Sequence, residues 1–293
     1  MRLAAVDIGS NAARLLISEV QLDPSGIPQF NKLNLVRVPL RLGFDVFESG
    51  TIGTEKVAMI LQTMKAYRHL CNAYQVEHLI ACATSAMRDA SNSKEILRQV
   101  RQETGIQIDI ISGDLEASLV YENHVAENLE KDHGYLYIDV GGGSTELSFF
   151  NNNRLAYKHS FNIGTIRLLK GMVTETHWAD MKDQIRLFTK GQKQVTAIGS
   201  GGNINKVFSL SKKKDGKPLP LELLRDYYKE FSSLSLEERI IRYNLRPDRA
   251  DVIVPALQIY INAMRWSGAE QIYVPKIGLA DGLIHHLWDQ LHP

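Results

Sequence analysis

Two stretches hold the residues best suited to chemistry: Asp7-Ile-Gly-Ser-Asn11 and Asp139-Val-Gly-Gly-Gly-Ser-Thr-Glu146. Each follows an apolar, strand-like run (residues 3–6 and 135–138). Each is followed by another such run (14–20 and 147–150) rather than by a helix. A strand, an acidic glycine turn and a second strand can hold a phosphate chain and a divalent cation. Glycines let the backbone approach phosphate oxygens and turn N–H groups toward them. Asp and Glu offer the hard oxygens that Mg²⁺ prefers. Taken alone, the first turn is equally an ordinary β-turn. Three consecutive glycines exceed what a hairpin needs, and the pair of turns implies two like halves around a cleft.

Three further constellations join them. In Ala83-Thr-Ser-Ala-Met-Arg88-Asp-Ala90, Arg88 can clamp a phosphate and Thr84 and Ser85 can donate hydroxyls; the plain alternative is a surface arginine paired with Asp89. Gly199-Ser-Gly-Gly-Asn203 lies between a strand and a helix, where the helix start attracts anions or where a tight connection is needed. It has neither the spacing of a Walker loop nor that of a dinucleotide fingerprint. Ile111-Ser-Gly-Asp-Leu-Glu116-Ala117 puts an acid on the first turn of a helix. The dipole alone would favour it there, and a carboxylate so placed can also orient or deprotonate water. The nine histidines form no ligand pattern, and no serine sits in a Gly-x-Ser-x-Gly elbow.

The elements that position these residues alternate. Strands are expected at 3–8, 14–20, 33–38, 78–83 and 108–111, and helices at 55–74, 93–104 and 114–130; Arg88 is expected in a loop. The second half restarts with strands at 135–139, 146–150 and 155–161, an internal repeat of fold. A helix at 177–190, a strand at 195–198, helices at 221–231, 236–243 and 250–266, a strand at 272–274 and a helix at 280–288 complete it. Lys212-Lys-Lys-Asp-Gly-Lys217 reads as a solvated charged loop. With 293 residues, 44% apolar and 23% charged, the chain is a soluble globular protein of two ordinary domains. A net charge of +1 speaks against bulk binding of DNA, and Cys71 and Cys82 form no disulfide framework. A start without signal-peptide character and the lack of a membrane-length apolar run point to the cytoplasm.

In order and spacing, these five motifs resemble the exopolyphosphatase/guanosine pentaphosphate phosphatase family over essentially the whole chain. Residues 160–168, with Gly164 and Arg167, and Arg249-Ala-Asp-Val252 extend the likeness. The resemblance implies an α/β fold of two ribonuclease-H-like (actin-like ATPase) domains, with mixed sheets flanked by helices and the active site in the interdomain cleft. The domains are expected at 1–125 and 126–293, with room for a C-terminal helix at 280–293 to pack back on the first. No additional C-terminal helical domain is expected, and hence limited processivity on long polymers.

The implied chemistry is hydrolysis of the terminal phosphate of inorganic polyphosphate with Mg²⁺ or another divalent cation. Glu116 would be the catalytic base, with Arg88 beside it. Asp139 and Glu146 would hold the metal, helped by Asp7. Gly9, Ser10, Asn11, Thr84, Gly141, Gly142, Gly143, Ser144, Thr145, Gly201 and Gly202 would form the phosphate cradle. Leu115 stands where the family usually has a first glutamate, Asn203 where a threonine is common, and Gly278-Leu-Ala-Asp-Gly282 lacks an arginine often found there. The competing readings are a guanosine pentaphosphate phosphohydrolase, a superfamily kinase using ATP, and a polyphosphate- or nucleotide-binding regulator without turnover, to which Leu115 points. No DNA or membrane partner is expected; a homodimer is, as among relatives.

Overall fold

The computed structural model describes residues 1–122, 133–152, 154–275 and 277–292. It divides into two compact units, Met1–Asn123 with Leu279–Pro293, and His124–Gly278.

The first unit opens with an antiparallel meander of β1 (Arg2–Ile8), β2 (Ala13–Leu22) and β3 (Pro28–Val38). Residues 3–8 of β1 are all buried, because β1 lies mid-sheet with both faces covered; its only polar residue there is Asp7. β3 is the edge and exposes Gln29, Asn31 and Lys32, the polarity that protects an unpaired strand side. Then come α1 (Leu42–Ser49), α2 (Thr54–Ala73), β4 (His78–Ala83), α3 (Ser85–Asp89), α4 (Ser93–Thr104), β5 (Asp109–Ile110) and α5 (Gly113–Glu122). β4 and β5 join parallel to β1, giving the order β3-β2-β1-β4-β5. On α2, Ile60, Met64, Tyr67 and Cys71 recur at helical spacing and are buried.

Some expectations need correction here. Arg88 lies in the short helix α3, not in a loop, and α1 had no counterpart in the sequence reading; both are too short to show a period. Before α4, the Asn92 side chain bonds the backbone N–H and carbonyl of Ile52 at 3.0 and 2.8 Å. The helix expected to continue to residue 130 falls, past Glu122, outside the described residues.

The second unit repeats the plan. β6 (Gly134–Val140), β7 (Thr145–Asn151) and β8 (Arg154–Phe161) form a meander, followed by α6 (Thr165–Leu169), α7 (Glu175–Thr189), β9 (Val195–Ser200), α8 (Gly202–Leu210) and β10 (Leu219–Pro220). α9 (Leu221–Ser233), α10 (Leu236–Tyr243), α11 (Pro247–Ala250), α12 (Ile253–Ser267) and β11 (Gln271–Tyr273) complete it. The order β8-β7-β6-β9-β11 reproduces that of the first sheet, with β9 and β11 parallel to β6 and β10 added antiparallel at the edge. The repeat is therefore one of topology, two mixed ribonuclease-H-like sheets flanked by helices. Leu136, Ile138 and Val140 alternate into a buried cluster shared with Ala256, Tyr260 and Ala263 of α12.

The last helix, α13 (Leu279–Leu291), packs on β1, β2, β4 and α5 of the first unit. The sequence reading counted these residues with 126–293 while leaving them room to pack back. What decides is the apolar stripe of Leu283, Ile284, Leu287 and Trp288, buried with Leu3, Ala5, Leu16 and Cys82. Among the described residues, no helix is long and apolar enough to cross a membrane.

On α13, His285 stacks on Phe30 at 3.8 Å between ring centroids. Burial pushes its imidazole below the ordinary 6.5; Asp281 and Asp289 oppose the shift, and Lys32, bridged to Asp281 at 2.6 Å, adds to it. The native state therefore holds fewer protons here than the unfolded chain does. The stabilisation is present above pH 6.5 and is lost as pH falls through the depressed value. The melting temperature of the wild type should thus fall more steeply on acidification from about pH 7 to pH 5 than that of His285→Gln. Parallel curves would show that His285 contributes no such dependence.

Candidate functional site

In the second unit, four polar residues occupy one rung of the sheet. Asp139 pairs with Ser200 on β9 and with Glu146 on β7, and Glu146 pairs with Ser160 on β8. Residues opposite one another share a face, so two carboxylates stand side by side at the end of the central strand. Glu146 is 3% exposed, and its Oε1 accepts from Ser144 Oγ at 2.6 Å and from Ser160 Oγ at 2.8 Å. These hydroxyls fix the carboxylate's orientation. Among the described residues, no three His, Cys, Asp or Glu side chains gather as a metal cage. Two carboxylates at a strand end still suit Mg²⁺, which takes one or two of them and completes its shell with water and phosphate oxygens.

The glycine turn beside them is clamped from behind. The carbonyls of Gly141 and Gly142 accept from the N–H groups of Thr165 and Ile166 at 3.0 and 2.8 Å, and that of Gly143 accepts from Arg167 Nε at 2.8 Å. In a trans peptide a carbonyl and the following N–H point in opposite directions, and no described peptide is cis. The N–H groups of Gly142, Gly143 and Ser144 therefore all face away from α6, side by side, as an anion-binding nest does. Gly164 allows this contact: a Cβ there would lie 2.4 Å from Gly142 O and Gly143 C. Thr145, expected as a phosphate contact, is instead fully buried and donates its hydroxyl to Ile163 O at 2.5 Å, bracing the clamp.

The third glycine cluster reaches the same rung. Gly201 has φ +106°, and a Cβ on it would stand 3.1 Å from Asp139 Oδ1. Arg249 Nη1 donates to Gly202 O, and the buried Tyr260 hydroxyl donates to Ser200 O. Burial, and after it the charge of Asp139, push the Tyr260 phenol well above its ordinary value, so this tyrosine serves as a donor.

The first unit holds the equivalent rung with different charges. Arg37, Arg14, Asp7, Cys82 and Asp109 align across its five strands. Asp7 is 2% exposed; burial pushes its carboxyl up, while Arg14, with Nη1 at 3.3 Å from Oδ1, pulls it down. The structure therefore gives Asp7 to an arginine. The turn that follows is pinned: Gly9 N–H donates to Ala12 O at 3.0 Å, Ser10 O accepts from Gly43 N–H at 2.8 Å, and Asn11 O from Arg41 N–H at 2.9 Å. Arg41 does so from the left-handed region, φ 53°, where a non-glycine residue is uncommon. Ser10 Oγ lies 2.7 Å from Ser85 Oγ, and Thr84 N–H donates to Ile8 O at 3.0 Å, which joins the Asp7 turn to the start of α3.

From α3, Arg88 Nη1 donates to Ile111 O at 2.6 Å and to Glu116 Oε2 at 3.4 Å. Burial pushes the Cys82 thiol well up, and the charges of Asp7, Glu116 and Asp109 push it further. The Glu116 side chain is 12% exposed, whereas Leu115 is 43% exposed.

The candidates thus fall into two groups, each at the carboxyl ends of parallel strands, where α/β sheets bind ligands. Asp7, Gly9, Ser10, Asn11, Thr84, Arg88 and Glu116 share the first sheet; Asp139, Gly141, Gly142, Gly143, Ser144, Glu146, Gly201 and Gly202 share the second. Sequence reasoning missed Arg14, Ser160, Arg41 and Tyr260. A signal existed for Arg14: it follows Asp7 by seven residues, as Glu146 follows Asp139. Replacing Gly164 by Ala should force the nest off its clamp and destabilise the chain by about 1–3 kcal/mol, readable in thermal unfolding; a wild-type melting curve would show that the loop has room to spare.

Residues 29–291 match the Ppx/GppA phosphatase family. A bifunctional 3-dehydroquinate synthase/phosphatase of Fusobacterium nucleatum is 32% identical over 191 residues, 64% of this chain and 29% of that one. Exopolyphosphatase 1 of Mycobacterium tuberculosis is 30% identical over 153 residues, 50% of this chain and 42% of that one. The chain spans less than half the length of these two curated relatives. The crystal structure of the Aquifex aeolicus member of the Ppx/GppA family matches with a TM-score of 0.79 at 25% identity, covering 100% of this chain and 99% of that one. With the repeated sheet, the clamped glycine turns and a match over nearly its whole length, the chain belongs to the Ppx/GppA phosphatase family.

Proposed function

We propose that this chain hydrolyses the terminal phosphate of inorganic polyphosphate, with Mg²⁺ and by in-line attack of water. The observation that carries the reading is the contrast between two equivalent rungs. Asp7 faces Arg14, but Asp139 faces Glu146. Directly opposite residues hold their Cβ atoms about 5 Å apart, where two full negative charges at an effective dielectric of about 20 repel by about 3 kcal/mol. A divalent cation turns that repulsion into a binding site. Bound there, Mg²⁺ would neutralise charge on the phosphate oxygens.

The chain's own groups supply the rest. The N–H groups of Gly142, Gly143 and Ser144 hold the terminal phosphate. In the first unit, Arg14, steadied by Asp7, and the Gly9–Asn11 turn offer positive charge and amides suited to phosphate. Glu116, oriented by Arg88, holds the attacking water and takes its proton. The shortened polyphosphate leaves. The relative from Mycobacterium tuberculosis named exopolyphosphatase supports this substrate.

The test is phosphate release from polyphosphate, guanosine pentaphosphate and ATP, with and without Mg²⁺. Polyphosphate should be cleaved fastest, and chelation should abolish release. Glu116→Gln should lower kcat by about 10²–10⁴-fold with little change in KM. An undiminished rate in that variant removes Glu116 from the chemistry. Preference for guanosine pentaphosphate would move the substrate to the nucleotide, and full activity in chelator would sink the cation site at Asp139 and Glu146.

A further inference from the structure

An irregularity in the edge strand β3 decides which of its side chains reach α13. Arg14, Leu16, Ser18 and Val20 alternate along β2 and share one face of the sheet. Their partners on β3 are Arg37, Leu35, Lys32 and Phe30, because the register shifts between Ile17 and Ser18 and leaves Leu33 as the extra residue. In an unbroken strand Lys32 and Arg37 would point to opposite faces. The bulge turns Lys32 onto the side that α13 covers, as bulges re-aim side chains.

There Lys32 Nζ lies 2.6 Å from Oδ1 of Asp281, on the first turn of α13. A helix dipole favours an acid at such a position by itself. The surroundings of this one add more. The Asp281 side chain is 16% exposed, and its charge pushes up both the Asp7 carboxyl and the His285 imidazole. Asp281 thus acts on the Asp7 rung as well as on the Phe30–His285 stack.

The other flank of α13 meets the supports of Glu116. α13 packs on α5, and Leu279, Ala280 and Leu283 are buried in one cluster with Ile111 and Leu119. Leu119 follows Glu116 by one turn of the same helix. The Ile111 carbonyl is the atom to which Arg88 makes its 2.6 Å bond. One helix therefore packs against what carries the carboxylate and what holds its arginine. That helix is joined to the edge strand by the Lys32–Asp281 pair and the Phe30–His285 stack.

We propose that Lys32 and Asp281 are positioning residues: their ion pair sets where the first turn of α13 sits and, through its apolar contacts, holds α5 and Glu116 in place for the attack on phosphate. A pair this exposed contributes little to global stability. Its effect is on geometry, to which attack by a held water is sensitive. The part played by Glu116 rests on the polyphosphatase reading; the link from Lys32 to α5 does not.

Phosphate release from polyphosphate is measured for Lys32→Gln, Asp281→Asn, the two combined, and Lys32→Arg. Hydrogen exchange is followed in the same full-length proteins over residues 113–119 and over α2. Each neutral variant should lower kcat by about threefold to thirtyfold, with KM and the melting temperature little changed. The combination should cost no more than either alone, since both break one pair. Lys32→Arg keeps the charge and should keep kcat. Exchange on α5 should quicken in the neutral variants while that on α2 stays as it was. Unchanged kcat in Lys32→Gln overturns the proposal, and so does unchanged exchange on α5. A rise in KM with kcat intact overturns it too, because the pair would then act on substrate binding. Quickened exchange on α5 beside full activity of Glu116→Gln would remove Glu116 as base and leave the link standing. An undisturbed α5 beside a large loss in Glu116→Gln would do the reverse.

Discussion

What stands opposite the aspartate at the end of each central strand is the constraint on which the rest depends. β1 and β6 lie inside their sheets, each flanked by two strands, and each carries a carboxylate near its end, Asp7 or Asp139. A carboxylate there must be compensated, because desolvation penalises its charge. The hairpin after each strand returns a partner to the same rung, seven residues later. In the first unit that partner is a guanidinium, whose charge offsets that of the aspartate. In the second it is another carboxylate, held by two serine hydroxyls and suited to a cation. One backbone plan thus yields two different chemistries through one side chain each.

The glycines matter because of what packs behind them. Carbonyl oxygens of the Gly141–Gly143 turn are taken up by α6 and Arg167, and this aims the amides the other way. Gly164 lets the two backbones approach, and Gly201, at positive φ, lets the start of α8 approach Asp139. Such turns lose much backbone entropy on ordering. The compensation comes from hydrogen bonds to elements far along the chain, so the nest is formed by the fold before any ligand arrives.

This division explains what could be read in the sequence. The two acidic glycine turns, their flanking strands, Arg88, Glu116 and the third glycine cluster are local patterns, and they stood out. The pairing of Asp139 with Glu146 was also within reach, since hairpin register follows from loop length. Contacts such as Arg167 with Gly143, Arg249 with Gly202 and Tyr260 with Ser200 span 24, 47 and 60 residues, and no local signal marks them. Thr145 was assigned to phosphate because it sits in the motif, yet its strand position turns its hydroxyl into the core. The two-residue strand β10 exists only through pairing with β11, so composition does not reveal it.

The geometry around Glu116 bears on how one arginine can assist a carboxylate without disabling it. A guanidinium in a close, two-pronged pair would lock a carboxylate and compete with the water it must hold. Arg88 instead makes its short contact, 2.6 Å, with the Ile111 carbonyl, a fixed backbone atom at the end of β5, and its long one, 3.4 Å, with Glu116. The arginine is thus positioned by the sheet, and the carboxylate by its place on the first turn of α5, where Glu116 N–H donates to Ser112 O at 3.0 Å. Neither depends on the other for its location. On the reading proposed above, the positive charge is near enough to orient the acid, and the 3.4 Å pairing is long enough for Glu116 to exchange it for a water proton.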